Sequence, residues 1–131
     1  MTQIVLVTHG EFGDELLRSA KMIVGPQNGV YSVPLLAEES PEGLEAKLDA
    51  VLQEIEGEDT LILIDLFGGT PYNVAARRMR ELHIECVTGL NLPMLIETLM
   101  MRDRVTAAEL AEVATQVGRE SVRNLGPLLN K

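Results

Sequence analysis

Hydrophobic residues follow two patterns that alternate along this chain. Short continuous runs, typical of strands buried on both faces, occur at residues 3–8, 30–33, 60–65 and 84–88. In the other stretches, hydrophobic residues recur every three or four positions, as on one face of a helix. These stretches predict helices that begin after residues 9–11 and that cover 41–55, 71–82, 94–101 and 106–117. The alternation of strands and helices indicates an α/β fold.

The strand order follows from general rules for sheets of this kind. Strands joined by helices run parallel, and their right-handed crossovers place helices on both faces of the sheet. The common order for a short chain is 2-1-3-4, in which the first and third strands are neighbours. We therefore predict an open, mostly parallel, doubly wound sheet in a single domain of residues 1–131.

Two stretches depart from the amphipathic pattern. Residues 94–101 are hydrophobic on nearly every side of the predicted helix, and a small domain rarely covers such a helix by itself. We interpret this helix as part of a subunit interface, with burial in the core as the alternative. Residues 121–125 are compatible with a short extra strand or with the frayed end of the last helix.

Two of the predicted strands end in residues that carry chemistry. The first strand ends at His9, followed by Gly10, and the third ends at Asp65, shortly before Gly68 and Gly69. Neighbouring parallel strands have their carboxyl ends at the same edge of the sheet, where ligands bind. We therefore expect the side chains of His9 and Asp65 to lie within hydrogen-bonding reach of each other.

The segment after Asp65 also predicts an anion-binding helix start. Thr70 is a suitable N-cap and Pro71 a suitable first helical residue, so that backbone N–H groups of this segment would point outward. Helix starts of this kind attract phosphate. Gly10, Gly69 and Thr70 are accordingly the predicted phosphate-binding residues.

A histidine held by a carboxylate on one ring nitrogen keeps the other nitrogen available as a base, a ligand or a nucleophile. A hydrolase triad would need a nearby serine, and the sequence has no G-x-S-x-G elbow. A metal site would need more ligands, and His83 is predicted at the opposite end of the sheet. The chemistry that fits best is uptake of a phosphoryl group by His9 itself, with no metal and no cofactor.

Composition narrows the possible functions further. The net charge of −9 disfavours a nucleic-acid-binding protein and favours partners with basic surfaces. The single cysteine permits no internal disulfide, which fits a reducing cytoplasm. The first residues lack the pattern of a signal peptide, and no hydrophobic stretch approaches membrane-spanning length. We expect a cytoplasmic protein that is not inserted into a membrane.

Three motifs carry a family resemblance: VTHG at residues 7–10, DLFGGTPYN at 65–73 and NLPMLIETL at 91–99. In this order and spacing they resemble the IIA domain of the mannose family of the bacterial sugar phosphotransferase system, and the similarity covers nearly the whole chain. Two positions differ from common forms of the motif. Thr70 stands where many members have serine, which keeps a hydroxyl, and Phe67 stands where some have tryptophan.

The resemblance implies a role for the two strand ends. His9 would take a phosphoryl group from the phosphohistidine of the carrier protein HPr and pass it to a histidine of a IIB protein, for sugar uptake. Asp65 corresponds to the family carboxylate that orients this histidine. Family members are homodimers, and residues 121–125 could supply an antiparallel C-terminal strand exchanged between subunits.

Other functions remain open at this point. A relative of this fold is the phosphoryl-donor subunit of a dihydroxyacetone kinase, although the motifs at 65–73 and 91–99 favour the sugar system. A response-regulator-like receiver with Asp65 as acceptor would need an acidic Mg²⁺ cluster after the first strand, which residues 8–10 do not supply. A purely regulatory phosphoprotein is a further alternative.

Overall fold

The computed structural model describes residues 1–130. Its strands are β1 (Gln3–His9), β2 (Val30–Leu35), β3 (Thr60–Ile64) and β4 (Glu85–Thr88). Its helices are α1 (Phe12–Val24), α2 (Pro41–Glu54), α3 (Thr70–Leu82), α4 (Leu92–Met101), α5 (Ala107–Glu120) and α6 (Leu125–Leu128). Among these helices, none combines the length and the apolar character needed to cross a membrane.

The four strands form one parallel sheet in the order β2-β1-β3-β4. The predicted α/β fold and strand order are therefore confirmed. In the register of β1 and β3, Val7 lies beside Ile64, the last residue of β3. His9 consequently extends two positions beyond the end of β3, at the edge where the segment leading to α3 begins.

Successive residues of the two central strands face opposite layers of helices. Ile4, Leu6, Leu61 and Leu63 belong to the core cluster shared with residues of α1, α4 and α5. Val5, Val7, Ile62 and Ile64 belong to the second cluster, which includes residues of α2 and α3. Both strands are thus buried on both faces, which is why their sequences are continuously hydrophobic. Helices lie on both faces of the sheet, as predicted, with α1 and α3 on opposite sides.

Helix α4 is mostly buried within one chain, as the core alternative expects. Met94, Leu95 and Leu99 are almost fully buried, and α1 and α5 both pack against α4. The one polar residue among its buried positions, Thr98, donates its hydroxyl hydrogen to the Leu95 carbonyl. Two neighbouring helices therefore cover much of α4, although Met100 remains 58% exposed. A part for α4 in a subunit interface stays a prediction, since one chain cannot show it.

The C-terminal region contains no fifth strand among the described residues. Ser121 ends α5, and the side chain of Asn124 accepts a hydrogen bond from the Gly126 N–H at the start of the short α6. Apart from the bond that the Asn91 side chain donates to the Ser121 hydroxyl, the hydrogen bonds of residues 121–124 are local. The alternative of a short extra strand within one chain is therefore wrong. An exchange of this segment between two subunits stays a prediction, since one chain cannot show it.

The second strand continues to Leu35, through Pro34 and two residues beyond the predicted range of 30–33. Strand β2 lies at the edge of the sheet and pairs with β1 alone. Proline is tolerated in such a position because its missing N–H need not pair with a second neighbour.

Candidate functional site

The ends of β1 and β3 meet through His9 and Asp65. Both the backbone N–H and the ring Nδ1 of His9 lie 2.9 Å from Oδ2 of Asp65. The expected contact between the two side chains is therefore present. One carboxylate oxygen holds both the backbone and the ring of the histidine, so the ring has little freedom to turn.

This contact determines which ring nitrogen is available. With Nδ1–H donating to the Asp65 carboxylate, the neutral ring carries its lone pair on Nε2. The side chain of Asp65 is only 14% exposed, whereas that of His9 is 46% exposed. The carboxylate is thus shielded while the imidazole remains accessible. The geometry is that of a nucleophile or base that can meet a partner molecule.

Gly69 brings the start of α3 next to the available nitrogen. Its φ of 88° lies in the left-handed region, which favours glycine. A Cβ atom at this position would lie 3.4 Å from both Cε1 and Nε2 of His9. The absence of a side chain therefore keeps the space beside Nε2 open and lets the backbone approach it.

The start of α3 differs from the starts of the other long helices. Ser40, Asn91 and Thr106 cap α2, α4 and α5 with their side chains, and the Thr8 hydroxyl accepts from the Gly13 N–H in α1. In contrast, α3 has no side-chain cap and no acidic residue in its first turn. Within residues 1–130, its first N–H groups therefore keep their positive ends unpaired beside His9.

Thr70 is not the N-cap that the sequence predicted. Gly69 occupies the cap position, and Thr70 is the first residue of α3, with Pro71 second. Because Gly69 adopts the left-handed conformation, the helix begins one residue earlier than expected. The Thr70 N–H and hydroxyl thus both belong to the first turn and make no capping bond.

Gly10 contributes to the site differently from the prediction. Its N–H donates to the carbonyl of Leu35 at 2.7 Å, so this donor is already used. Its φ of 54° again lies in the left-handed region. Gly10 therefore shapes the turn after His9, while the unpaired N–H groups beside the ring come from α3.

Exposed hydrophobic side chains surround the two strand ends. They form an apolar rim that comprises Phe12, Leu36, Leu66 and Phe67. Phe12 opens α1, Leu36 follows β2, and the other two follow Asp65. Phe67 is 77% exposed and rests edge-on against Tyr72, with ring centroids 5.1 Å apart. A rim of this kind around an accessible ring suits a site that another protein covers.

Most of this rim cannot be recognised from sequence, because a single hydrophobic residue in a loop carries little information before the loops are placed together. Other reactive side chains lie elsewhere. His83 ends α3 with a φ of 55°, and burial raises the pKa of the Cys86 thiol on β4 to about 12. Within residues 1–130, no three His, Cys, Asp or Glu side chains form a group suited to a metal ion.

Comparisons with known proteins agree on one family. Residues 3–115 match the family described as "PTS system fructose IIA component". The "PTS system mannose-specific EIIAB component" of Escherichia coli (strain K12) is 38% identical over 125 residues, which cover 93% of this chain but only 39% of that relative. The "PTS system fructose-specific EIIA component" of Bacillus subtilis (strain 168) is 32% identical over 133 residues, which cover 100% of this chain and 91% of that protein.

Solved structures support the same assignment. The mannose/sorbose specific IIA subunit of the phosphotransferase system from Enterococcus faecalis superposes with a TM-score of 0.88 at 39% identity, covering 94% of this chain and 93% of that one. The phosphotransferase system component EIIA from Streptococcus agalactiae gives a TM-score of 0.90 at 29% identity, covering 97% and 99%. This chain therefore belongs to the mannose family of IIA components of the sugar phosphotransferase system.

Proposed function

We propose that this protein carries phosphoryl groups in a sugar phosphotransferase system. Nε2 of His9 accepts the group from phosphorylated HPr and passes it to a histidine of a IIB protein. The observation that carries the proposal is the geometry at His9. Nδ1 is held by Asp65, and Nε2 faces the uncapped start of α3 beside Gly69. Residues 1–131 act as one IIA domain of the mannose family.

The transfer is an in-line displacement between two histidines. The Nε2 lone pair attacks phosphorus, the P–N bond to the donor histidine breaks, and its electron pair returns to the donor ring. The His9 ring then carries a positive charge and keeps its Nδ1–H. The Asp65 carboxylate, 2.9 Å from Nδ1, stabilises that charge as it develops. Transfer to IIB is the same displacement in reverse, so the chain ends unchanged.

Backbone groups at the start of α3 hold the phosphoryl oxygens. The N–H groups of Gly69 and Thr70, together with the Thr70 hydroxyl, form the proposed phosphate-binding set, and Gly10 sets the turn that aims His9. Residues 9–12 and 65–70 contain no lysine or arginine. Binding by partial charges alone is weaker than binding by a full cation. This suits a group that must be released to the next protein.

The partner surface is the apolar rim. HPr and IIB would each cover Phe12, Leu36, Leu66 and Phe67 in turn, and exclude water during transfer. Glu11 precedes Phe12 of this rim in the sequence, and the net charge of the chain is −9. The surface therefore favours partners that carry positive charge around their histidines. We propose a cytoplasmic location, which the single cysteine of the chain also favours.

A labelling experiment tests the function. The protein is incubated with phosphoenolpyruvate, enzyme I and HPr, and the phosphorylated residue is mapped. We expect a label on His9 that is acid-labile and alkali-stable, and that moves to IIB when IIB is added. A label on Asp65, labile in both acid and alkali, would support a receiver instead. Failure of HPr to label the protein would contradict the proposal. A label on His9 that passes only to a dihydroxyacetone kinase subunit would assign the other pathway.

Substitution of Gly69 tests the phosphate-binding loop. Gly69→Ala would place a methyl group 3.4 Å from Nε2 and should slow transfer from phospho-HPr about 10-fold or more. Gly57→Ala is a matched control, because Gly57 has nearly the same φ of 87° but no heavy atom within 4 Å of the added Cβ. Single-turnover rates of the two variants should therefore differ, although both lose stability from backbone strain. Equal rates would show that the contact with His9 has no effect.

We further propose that two chains form a homodimer through their C-terminal segments. Strand β4 pairs with β3 alone, so its other edge is open. A cavity of about 590 Å³ borders this edge and is lined by Tyr72, Cys86, Thr115 and Val122 among others. The segment after α5 exposes Val122, Leu125, Leu128 and Leu129. Hydrophobic side chains on a short segment and an open strand edge complement each other, which supports exchange of this segment between subunits.

Sedimentation velocity tests the homodimer. The parent protein should sediment as a dimer at micromolar concentration. Val122→Asp should shift it towards monomer by placing a charge in the cavity beside β4. A parent protein that stays monomeric across the concentration range would contradict the proposal. A dimer that Val122→Asp leaves intact would place the interface elsewhere.

A further inference from the structure

The residue before His9 has a buried hydroxyl with two partners in the following turn. Thr8 is fully buried, and its Oγ1 accepts a hydrogen bond from the Gly13 N–H at 3.0 Å. The same hydroxyl lies 3.5 Å from the carbonyl oxygen of Gly10, to which it can donate. Thr8 therefore links the two sides of the turn that carries His9.

This link takes the place of an ordinary helix cap. Glu11 occupies the N-cap position of α1, but its side chain makes no capping bond. The first turn of α1 is instead held by a side chain from β1. The fit is close, since a Cβ atom at Gly13 would lie 3.2 Å from Cγ2 of Thr8 and 3.0 Å from Oγ of Ser32. The start of α1 thus packs directly against Thr8.

Each neighbouring group of the turn has one fixed partner. The His9 N–H is bound to Asp65, and the Gly10 N–H is bound to Leu35. These two bonds fix the N–H side of the turn. On the other side, the Thr8 hydroxyl binds the Gly13 N–H at the start of α1, and the Gly10 carbonyl lies within reach of the same hydroxyl. Without that hydroxyl, the Gly13 N–H loses its acceptor and the Gly10–Glu11 peptide can rotate, which changes ψ of Gly10 and φ of Glu11 in the turn that directly follows His9.

We propose that Thr8 is a positioning residue for phosphoryl transfer, and that its buried hydroxyl sets where Nε2 of His9 stands relative to the start of α3. The inference rests on the proposed function of His9. The proposed role belongs to the hydroxyl rather than to the bulk of the side chain. Valine has nearly the same shape as threonine, so Thr8→Val tests the hydroxyl alone. Transfer between two histidines needs close alignment of three atoms, so a small displacement of Nε2 lowers the rate.

Three variants separate positioning from stability. Thr8→Val removes the hydroxyl, Thr8→Ser keeps it, and Thr60→Val removes another buried hydroxyl at the opposite end of the sheet. Thr60 is a matched control because its Oγ1 also donates to a nearby backbone carbonyl, that of Glu58, at 3.0 Å. All three are compared at a temperature where denaturation curves show them fully folded.

The first readout is single-turnover transfer from phospho-HPr. Thr8→Val should lower the rate constant at saturating donor about 10-fold, and the donor concentration for half-maximal rate should change less than about twofold. Thr8→Ser should restore the rate to within about threefold of the parent, and Thr60→Val should match the parent. A Thr8→Val protein that is less stable but transfers at the parental rate would overturn the inference.

The second readout needs no donor. The ¹⁵N chemical shifts of the His9 ring report its hydrogen bond to Asp65 and its tautomer. They should move in Thr8→Val and stay at the parental values in Thr8→Ser and Thr60→Val. Unchanged shifts together with an unchanged rate would leave Thr8 a purely structural residue. A parent protein that phospho-HPr does not label would instead contradict the proposed function, and the ring shifts would then decide the positioning role by themselves.

Discussion

Replacement of His9 by glutamine should reduce phosphorylation by phospho-HPr to background, a loss of at least about 10⁴-fold. Glutamine has no nucleophilic nitrogen, and no other residue of the site replaces it. The fold should persist with a change of about 1 kcal/mol or less in the free energy of unfolding, because the His9 ring is 46% exposed and its backbone N–H still binds Asp65. Transfer of ³²P from labelled phosphoenolpyruvate measures the loss.

The second histidine provides the control for that variant. His83 ends α3 with a φ of 55°, a conformation that asparagine adopts more readily than most residues. His83→Asn should therefore fold normally and take up phosphate at the parental rate. The chain has two histidines, so this pair of variants assigns any phosphohistidine to one of them. Equal labelling of the parent protein and His9→Gln would refute the role of His9.

Replacement of Asp65 by asparagine should slow transfer about 10²- to 10³-fold. An amide oxygen in place of Oδ2 can accept both hydrogen bonds from His9, so the ring should keep its orientation. The charge is lost, however, and with it the stabilisation of the positive ring that forms during transfer. The rate constant at saturating phospho-HPr should fall, with little change in the donor concentration for half-maximal rate.

The same substitution should also lower stability modestly. Oδ1 of Asp65 is buried and has no hydrogen-bond partner among the described residues. An amide NH₂ group at that position would lack an acceptor, at a cost of about 1–3 kcal/mol. Asp103→Asn is the control, since Asp103 is exposed and follows α4, at the end of the sheet opposite to His9. If Asp65→Asn transferred phosphate as fast as Asp103→Asn, the electrostatic role of Asp65 would be wrong.

The arrangement of the sheet could be predicted from sequence because it rests on rules that hold along the whole chain. Continuous hydrophobic runs separated by amphipathic stretches leave few alternatives to a parallel sheet with helices on both faces. The strand order then places the ends of β1 and β3 side by side. The contact between His9 and Asp65 follows from that order alone, before any family resemblance is considered.

The details that the sequence did not predict depend on single dihedral angles or on distant partners. Helix α3 begins one residue earlier than predicted because Gly69, rather than Thr70, takes the cap conformation. The N–H of Gly10 is unavailable to phosphate because Leu35, 25 residues further along the chain, accepts its hydrogen bond. Helix α4 looked unpartnered because its sequence does not reveal that α1 and α5 lie on either side of it.

The way Asp65 binds His9 also has a mechanical consequence. Beyond Ile64, β3 offers no further backbone carbonyl to β1, and the Asp65 carboxylate accepts the His9 N–H in its place. A side chain therefore accepts the last hydrogen bond between β1 and the segment after β3, and the same oxygen binds Nδ1 of the imidazole. The His9 ring is thus tied to the end of the sheet, although it is 46% exposed. A displacement of Asp65 would therefore loosen the end of β1 and the imidazole together.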